Sequence, residues 1–122
     1  MSDQTFSQQI AWAKRHMPRT AKQVASLPDL SHVRLVCNMH LDLKMIPFVE
    51  GLLSKNAKVY LTTCNPTTVQ ADVVNFLCEA GAEAYAWRHM RNDQWRESWD
   101  KAIAWLPTHP CEMGADIPRF LP

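Results

Sequence analysis

The chain has 122 residues, a formal net charge of +1, 47% hydrophobic residues and 20% charged residues. This length suits one domain, residues 1–122, and the composition is typical of a globular protein rather than a disordered one. No basic run indicates a nucleic-acid partner, no apolar stretch is long enough to span a membrane, and the polar N-terminus does not resemble a signal peptide. We therefore expect a cytoplasmic protein without nucleic-acid or membrane partners.

The spacing of apolar residues predicts five helices and four strands in alternation after an initial helical pair. The predicted helices cover 5–16, 19–26, 43–55, 67–80 and 93–105. The predicted strands cover 33–37, 57–63, 82–87 and 107–113, and two prolines weaken the prediction for the last of them. None of the three glycines belongs to a GxGxxG or Walker loop, so the sequence encodes no common nucleotide-binding turn.

This order predicts an α/β fold, a three-layer sandwich with a mostly parallel sheet of about four strands, Rossmann/flavodoxin-like in type. Ligands of such open sheets bind beyond the carboxyl ends of the strands. In this chain those ends fall at 38–42, 64–68, 88–90 and 111–114. We expect the loops that carry His40, Asn65 and Glu112 to leave neighbouring strands on one side and to face a shared crevice.

Two of these loops carry residues with alternative interpretations. His40 suits general acid or base catalysis because an imidazole changes charge near neutral pH, but it also suits a surface or capping position. The segment from Cys64 to Thr68 suits a ligand-binding turn or an ordinary strand-to-helix turn equally well. The four cysteines form no CxxC pair, so reduced thiols are favoured over disulfides, and a zinc set of Cys37, His40, Cys64 and Cys111 is the weaker alternative.

Several short motifs occur in an order and at spacings that resemble the adenosylhomocysteinase family over residues 10–117. They are Ile10-Ala11-Trp12-Ala13 leading to Met17-Pro18, His40 after the first strand, Cys64-Asn65 after the second, Ala84-Tyr85-Ala86-Trp87, and Gly114-Ala115-Asp116-Ile117. The resemblance implies a hydrolase of one-carbon metabolism that splits S-adenosylhomocysteine into adenosine and homocysteine. It further implies that this chain is the N-terminal, substrate-side domain, incomplete relative to the family because the NAD-binding domain is absent.

By the same resemblance, His40 and Glu112 are the candidate catalytic residues, with no metal. The candidate substrate-binding residues are Asp42, Lys44, Cys64, Asn65, Thr68 and Gln70. The full-length family uses tightly bound NAD, whereas this chain is expected to hold no cofactor by itself. The expected partners are an adenosine-type small molecule and, as in the family, further copies of the same chain.

Three departures from the family pattern alter its chemistry. Asp42 stands where the family has a substrate-binding Thr, and Lys44 stands where it has a Glu that reads the adenine. The family's paired aspartates fall on Glu112 and Met113, and a methionine cannot carry a proton. The leading hypothesis is a fragment or truncated form that is inactive alone. The alternatives are a non-catalytic module that binds a small molecule or a protein, and a free-standing enzyme that uses His40 with Glu112 or Asp42.

Overall fold

The computed structural model describes residues 5–112, which form an open sheet of four parallel strands. The strands are β1 (Arg34–Met39), β2 (Lys58–Thr63), β3 (Glu83–Ala84) and β4 (His109–Glu112), in the spatial order β3-β2-β1-β4. Register pairs Asn38 of β1 with Thr62 on one side and with Glu112 on the other. The predicted parallel α/β fold is confirmed.

The described helices are α1 (Phe6–Arg15), α2 (Pro18–Ala25), α3 (Met45–Ser54), α4 (Ala71–Glu79) and α5 (Asn92–Ala104), with a 3-10 turn at Pro66–Thr68. The start of α1 follows from a capping box, in which Thr5 and Gln8 exchange side-chain and backbone hydrogen bonds. Pro18 occupies the first turn of α2, where its missing N–H is harmless.

Several predicted boundaries differ from the structure, and β1 runs to Met39 instead of ending at residue 37, which places Asn38 within the strand. The helix predicted at 67–80 begins only at Ala71, because Asn65 caps a separate 3-10 turn that Pro66 opens. The strand predicted at 82–87 is paired only at Glu83–Ala84, on the outer side of β2. The strand predicted at 107–113 forms despite Pro110, because an edge strand has one side with no neighbour to accept its N–H groups. Met113 lies outside the described residues.

Helices cover both faces of the sheet, as expected. On one face, Cys37 and Leu61 join the main core with residues of α3 and α4. On the other face, Val36 and Tyr60 pack with Trp99, Ala102 and Ile103 of α5. The chain therefore builds outward from β1 to β3 and then crosses the opposite face to place β4 on the far side of β1. Such a reversal of strand order marks the place where open α/β sheets bind ligands.

Within residues 5–112, no helix has both the length and the apolar character that crossing a membrane requires.

Close packing of α2 on α3 depends on Gly51. A Cβ atom at this position would lie 2.6 and 2.7 Å from the two methyl carbons of Val24. We expect Gly51→Ala to lower the free energy of unfolding by about 1–3 kcal/mol, measured by urea denaturation, because the two helices must separate. In a Val24→Ala background the same change should cost much less, because both methyl carbons are gone and only the Cβ of residue 24, at 3.2 Å, remains. Equal destabilisation in both backgrounds would show that the contact is not the cause.

Candidate functional site

The carboxyl ends of the strands bring the predicted loops to one edge of the sheet. The backbone N–H of Cys64, just after β2, donates to the carbonyl of Met39 at the end of β1, at 3.2 Å. The N–H of His89, in the loop that follows β3, donates to the carbonyl of Pro66, also at 3.2 Å. Glu112 closes β4 on the other side of β1. This edge of the sheet therefore brings together the loops that follow β1, β2 and β3 and the end of β4.

His40 is held by the turn that follows β2. Its Nδ1 lies 2.8 Å from the hydroxyl of Thr68, and that hydroxyl lies 2.8 Å from the backbone carbonyl of Asn65. Asn65 itself is fixed by Thr63, whose hydroxyl accepts from the Asn65 N–H at 3.1 Å and donates to the Asn65 carbonyl at 3.0 Å. The end of β2 thus orients the imidazole that leaves β1.

These contacts assign the tautomer of His40. Two oxygen atoms 2.8 Å apart repel each other unless a proton lies between them, so the Thr68 hydroxyl donates to the Asn65 carbonyl. The same hydroxyl then accepts from His40, whose Nδ1 must carry the ring proton. Nε2 of the neutral ring consequently keeps its lone pair and is able to accept a proton or a hydrogen bond from a ligand.

A second set of polar side chains forms a row across the sheet on the α5 face. The Thr62 hydroxyl donates to Oδ1 of Asn38 at 2.8 Å, and Nδ2 of Asn38 donates to Oε2 of Glu112 at 2.9 Å. Thr62 and Asn38 are both fully buried, whereas Glu112 is half-buried. These hydrogen bonds fix one carboxylate oxygen of Glu112 between β1 and β4, where the order of the strands reverses.

Sequence reasoning missed the role of Thr62 and Asn38. Both are polar residues near the end of an otherwise apolar strand, and both follow an apolar residue two positions earlier that faces the same side. That alternation places the two side chains on one buried face, where each needs a hydrogen-bond partner. The signal was therefore present, but the pairing became visible only with the strand order.

The start of α3 carries two more of the predicted residues, which contact each other. Oδ1 of Asp42 accepts from the backbone N–H of Lys44 at 3.1 Å, and Oδ2 lies 3.8 Å from the Lys44 ammonium group. The Lys44 side chain is 79% exposed, so this ion pair contributes little to stability and leaves the ammonium able to turn to another acceptor. Asp42 has the local role of stabilising the turn before α3.

The remaining candidates occupy the same edge with different exposure. Cys64 is half-buried, and Gln70 is exposed while its backbone N–H donates to the carbonyl of Leu41 at 3.1 Å. The functional roles of all eight candidates stay predictions. The zinc alternative is wrong for the described residues, because no group of three or more His, Cys, Asp or Glu side chains among them is placed to hold a metal ion.

A separate groove of about 380 Å³ lies between α1, α2 and α3, away from this edge. Lys14, Met17, Val24, Pro47 and Glu50 are among the residues that line it. Its walls are largely apolar, and Lys14 and Glu50 form an ion pair at its side, with Nζ and Oε1 2.6 Å apart. We base the candidate site on the carboxyl edge, because the polar groups suited to proton transfer and hydrogen bonding converge there.

Comparison with known proteins reveals clear relatives, although no protein-family model matches the chain. The chain is 34% identical over 111 residues to an S-inosyl-L-homocysteine hydrolase of Methanococcus maripaludis. It is 33% identical over 112 residues to an adenosylhomocysteinase of Aeropyrum pernix, and 29% identical over 110 residues to an S-inosyl-L-homocysteine hydrolase of Methanopyrus kandleri. These alignments cover 88–89% of the chain but only 26–27% of each relative.

Proposed function

Because this chain is related to the adenosylhomocysteinases, we propose that it is the nucleoside-contacting part of a hydrolase of S-nucleosyl homocysteine thioethers. The relation extends over nearly the whole chain, while the chain spans about a quarter of the relatives' length. The observation that supports the proposal most is the network of His40, Thr68 and Asn65, which leaves Nε2 of His40 available to a ligand at the carboxyl edge of the sheet.

The proposed division of labour follows from the positions of the side chains. His40 accepts a proton or a hydrogen bond from the ligand through Nε2, and Thr68 keeps the ring in that tautomer. Glu112 supplies a carboxylate whose orientation is fixed by Asn38. Both groups bind and orient a nucleoside, and both are suited to moving a proton. The full reaction of such a hydrolase needs a hydride acceptor, which protein side chains do not supply.

The described residues do not fit a dinucleotide cofactor. A pyrophosphate approaches the backbone where a glycine-rich turn follows the first strand. Here the turn after β1 contains no glycine, and Leu41 within it is completely buried. We therefore propose that NAD, if used, is held by another part of the protein, and we derive no step of the reaction through it.

We expect the 122-residue chain to bind a purine nucleoside and to hydrolyse neither S-adenosylhomocysteine nor S-inosylhomocysteine, with or without added NAD. Binding is measured by isothermal titration calorimetry with adenosine and inosine, and hydrolysis by release of homocysteine thiol.

A His40→Ala variant should lose most of the nucleoside affinity, whereas a variant of the distant His16 should retain it. Thiol release above the enzyme-free blank would refute the expected inactivity. Absence of heat with both nucleosides would favour the alternative, a binding module for another ligand.

Lys44 favours a 6-oxopurine over adenine as the base. Its ammonium group donates hydrogen bonds only, and a 6-oxopurine presents an acceptor oxygen where adenine presents an amino group. The names of two relatives above include an inosyl substrate, which is consistent with this choice. The exposed side chain, 3.8 Å from Asp42, has the freedom to reach a bound base. We therefore propose an inosine-type ligand as the finer assignment.

Lys44→Glu should reverse the preference between the two bases. We expect the ratio of inosine to adenosine affinity to fall by about tenfold or more, because a charged donor is replaced by a charged acceptor. The measurement is calorimetric titration of both variants with both nucleosides. Lys58→Glu is the matched control, because Lys58 begins β2 at the opposite edge of the sheet. An unchanged ratio in Lys44→Glu would remove Lys44 from base recognition without affecting the role of His40.

A further inference from the structure

Two cysteines are paired across β1 and β4, on the opposite face of the sheet from the hydrogen-bonded row of Thr62, Asn38 and Glu112. Register pairs Cys37 with Cys111, one position before the pair formed by Asn38 and Glu112. Both sulfur side chains lie on the face that carries the main core. Cys37 is completely buried and Cys111 is half-buried, so the pair has one member that a small solute reaches more easily.

The backbone geometry of this pair suits a disulfide. Neighbouring strands lie about 4.8 Å apart, and disulfide-linked residues have Cα atoms roughly 4.4–6.8 Å apart. Residues in register on parallel strands also project from the same face, and their Cβ atoms need to approach by only about 1 Å to reach the spacing of a disulfide. The Cys111 sulfur already lies 3.6 Å from the sulfur of Met39, the next residue of β1 on that face. The two strands therefore hold three sulfur atoms in one small volume.

The two thiols differ in reactivity. A hydrogen bond from the Cys37 thiol lowers the pKa of Cys111 to about 7. The same hydrogen bond, together with burial, raises the pKa of Cys37 well above its ordinary value. The lowered pKa of Cys111 and the raised pKa of Cys37 favour the thiolate, the nucleophilic form of cysteine, at Cys111 rather than at Cys37.

We propose that Cys37 and Cys111 form a reversible oxidation site that reacts with a hydroperoxide, independently of any hydrolase activity. The Cys111 thiolate attacks one oxygen of hydrogen peroxide, the O–O bond breaks, the second oxygen leaves as hydroxide, and Cys111 becomes a sulfenic acid. The Cys37 sulfur then attacks the Cys111 sulfur, the S–O bond breaks, and one water leaves as the disulfide forms. Two electrons pass from the pair of thiols to one peroxide, and a dithiol reductant restores both thiols.

The disulfide would join the two strands at the reversal of strand order. Cys111 is the residue before Glu112, and Cys37 is the residue before Asn38. Oxidation therefore fixes the spacing of β1 and β4 next to the hydrogen bond between Asn38 and Glu112. It closes a long loop of the chain, which restricts the unfolded state and raises the melting temperature of the oxidised form.

The test is oxidation of the reduced full chain with equimolar hydrogen peroxide, followed by alkylation of free thiols and peptide mapping under non-reducing conditions. We expect a mass decrease of roughly 2 Da, two alkylated cysteines instead of four, and a linked peptide containing Cys37 and Cys111, all reversed by dithiothreitol. The rate of Cys111 oxidation should rise as the pH passes through about 7, because the thiolate of Cys111 forms over that range.

Variants separate the pair from the other thiols. Cys37→Ala should stop at the sulfenic or sulfinic acid of Cys111. Cys78→Ser is the matched control and should oxidise like the original chain, because Cys78 is exposed but partial desolvation raises its pKa. If a variant does not fold, peptide mapping of the oxidised, unsubstituted chain still tests whether Cys37 and Cys111 form the disulfide. Sulfinic acid at Cys111, or disulfide-linked dimers through Cys64 or Cys78, with no peptide linking Cys37 to Cys111 would overturn it.

Discussion

Replacing Asn38 by Asp should destabilise the folded chain by about 3–5 kcal/mol at neutral pH, more than any surface change. Asn38 is completely buried and uses its amide nitrogen to donate to Glu112 at 2.9 Å. The new carboxylate cannot donate, so two negative oxygens would face each other at that distance, one of them on a completely buried side chain. Urea denaturation with the Asn38→Asp variant measures the loss directly.

The loss from Asn38→Asp should depend on pH in a defined direction. Burial and the facing Glu112 raise the pKa of the introduced carboxyl group above its value in the unfolded chain. Its folded state therefore binds a proton more tightly, and the variant regains stability at acidic pH and loses it as the pH rises through the raised pKa. Asn75→Asp, on the exposed side of α4, is the control and should change stability by less than about 0.5 kcal/mol. A loss that is small or that grows in acid would contradict the buried hydrogen-bonded row.

The alternation of strands and helices was predictable because β1 and β2 are short, largely apolar runs and the helices have apolar faces, whereas β4 was predicted from the alternation alone. Local boundaries failed where one residue changed the local geometry. A 3-10 turn that Asn65 caps and Pro66 opens replaces the first residues of the predicted fourth helix, and the N–H of Gln70 donates to Leu41 instead of continuing that turn. The Asn65 cap is local turn chemistry, whereas the hydrogen bond from Gln70 to Leu41 joins the loops after β2 and β1, which the periodicity of one segment does not encode.

The sequence predicts which residues lie at the strand ends, but it does not predict the order of the strands in the sheet. The sequence places His40, Asn65 and Glu112 at strand ends, and parallel strands bring such ends to one edge. It does not encode that β4 lies beside β1 rather than beyond β3, since either position is compatible with a parallel sheet. Only the first arrangement puts Glu112 against Asn38 and Cys111 against Cys37. The hydrogen-bonded row and the thiol pair thus depend on topology, whereas the turn of Asn65 and Thr68 depends on local sequence.

Replacing Thr68 by Val should change the dominant tautomer of His40. The substitution keeps the shape of the side chain but removes the oxygen that accepts from Nδ1 at 2.8 Å. An unpaired donor in a half-buried place costs about 1–3 kcal/mol, so the ratio of Nδ1–H to Nε2–H forms should fall by at least about fivefold. The measurement is a long-range ¹H–¹⁵N correlation spectrum of the imidazole ring, which distinguishes the two nitrogens without any activity assay.

Two further variants show whether the hydroxyl of Thr68 or the turn itself controls the ring. Thr68→Ser restores the acceptor oxygen and should restore the original tautomer. Thr67→Val removes the neighbouring hydroxyl, which donates to the Asn65 side chain at 2.8 Å, and should leave the His40 spectrum unchanged. If Thr67→Val and Thr68→Val alter the spectrum equally, the ring responds to the shape of the turn and not to one hydrogen bond. A loss of nucleoside affinity only in Thr68→Val would connect the tautomer to binding, because Nε2 presents a lone pair to the ligand only while Nδ1 holds the proton.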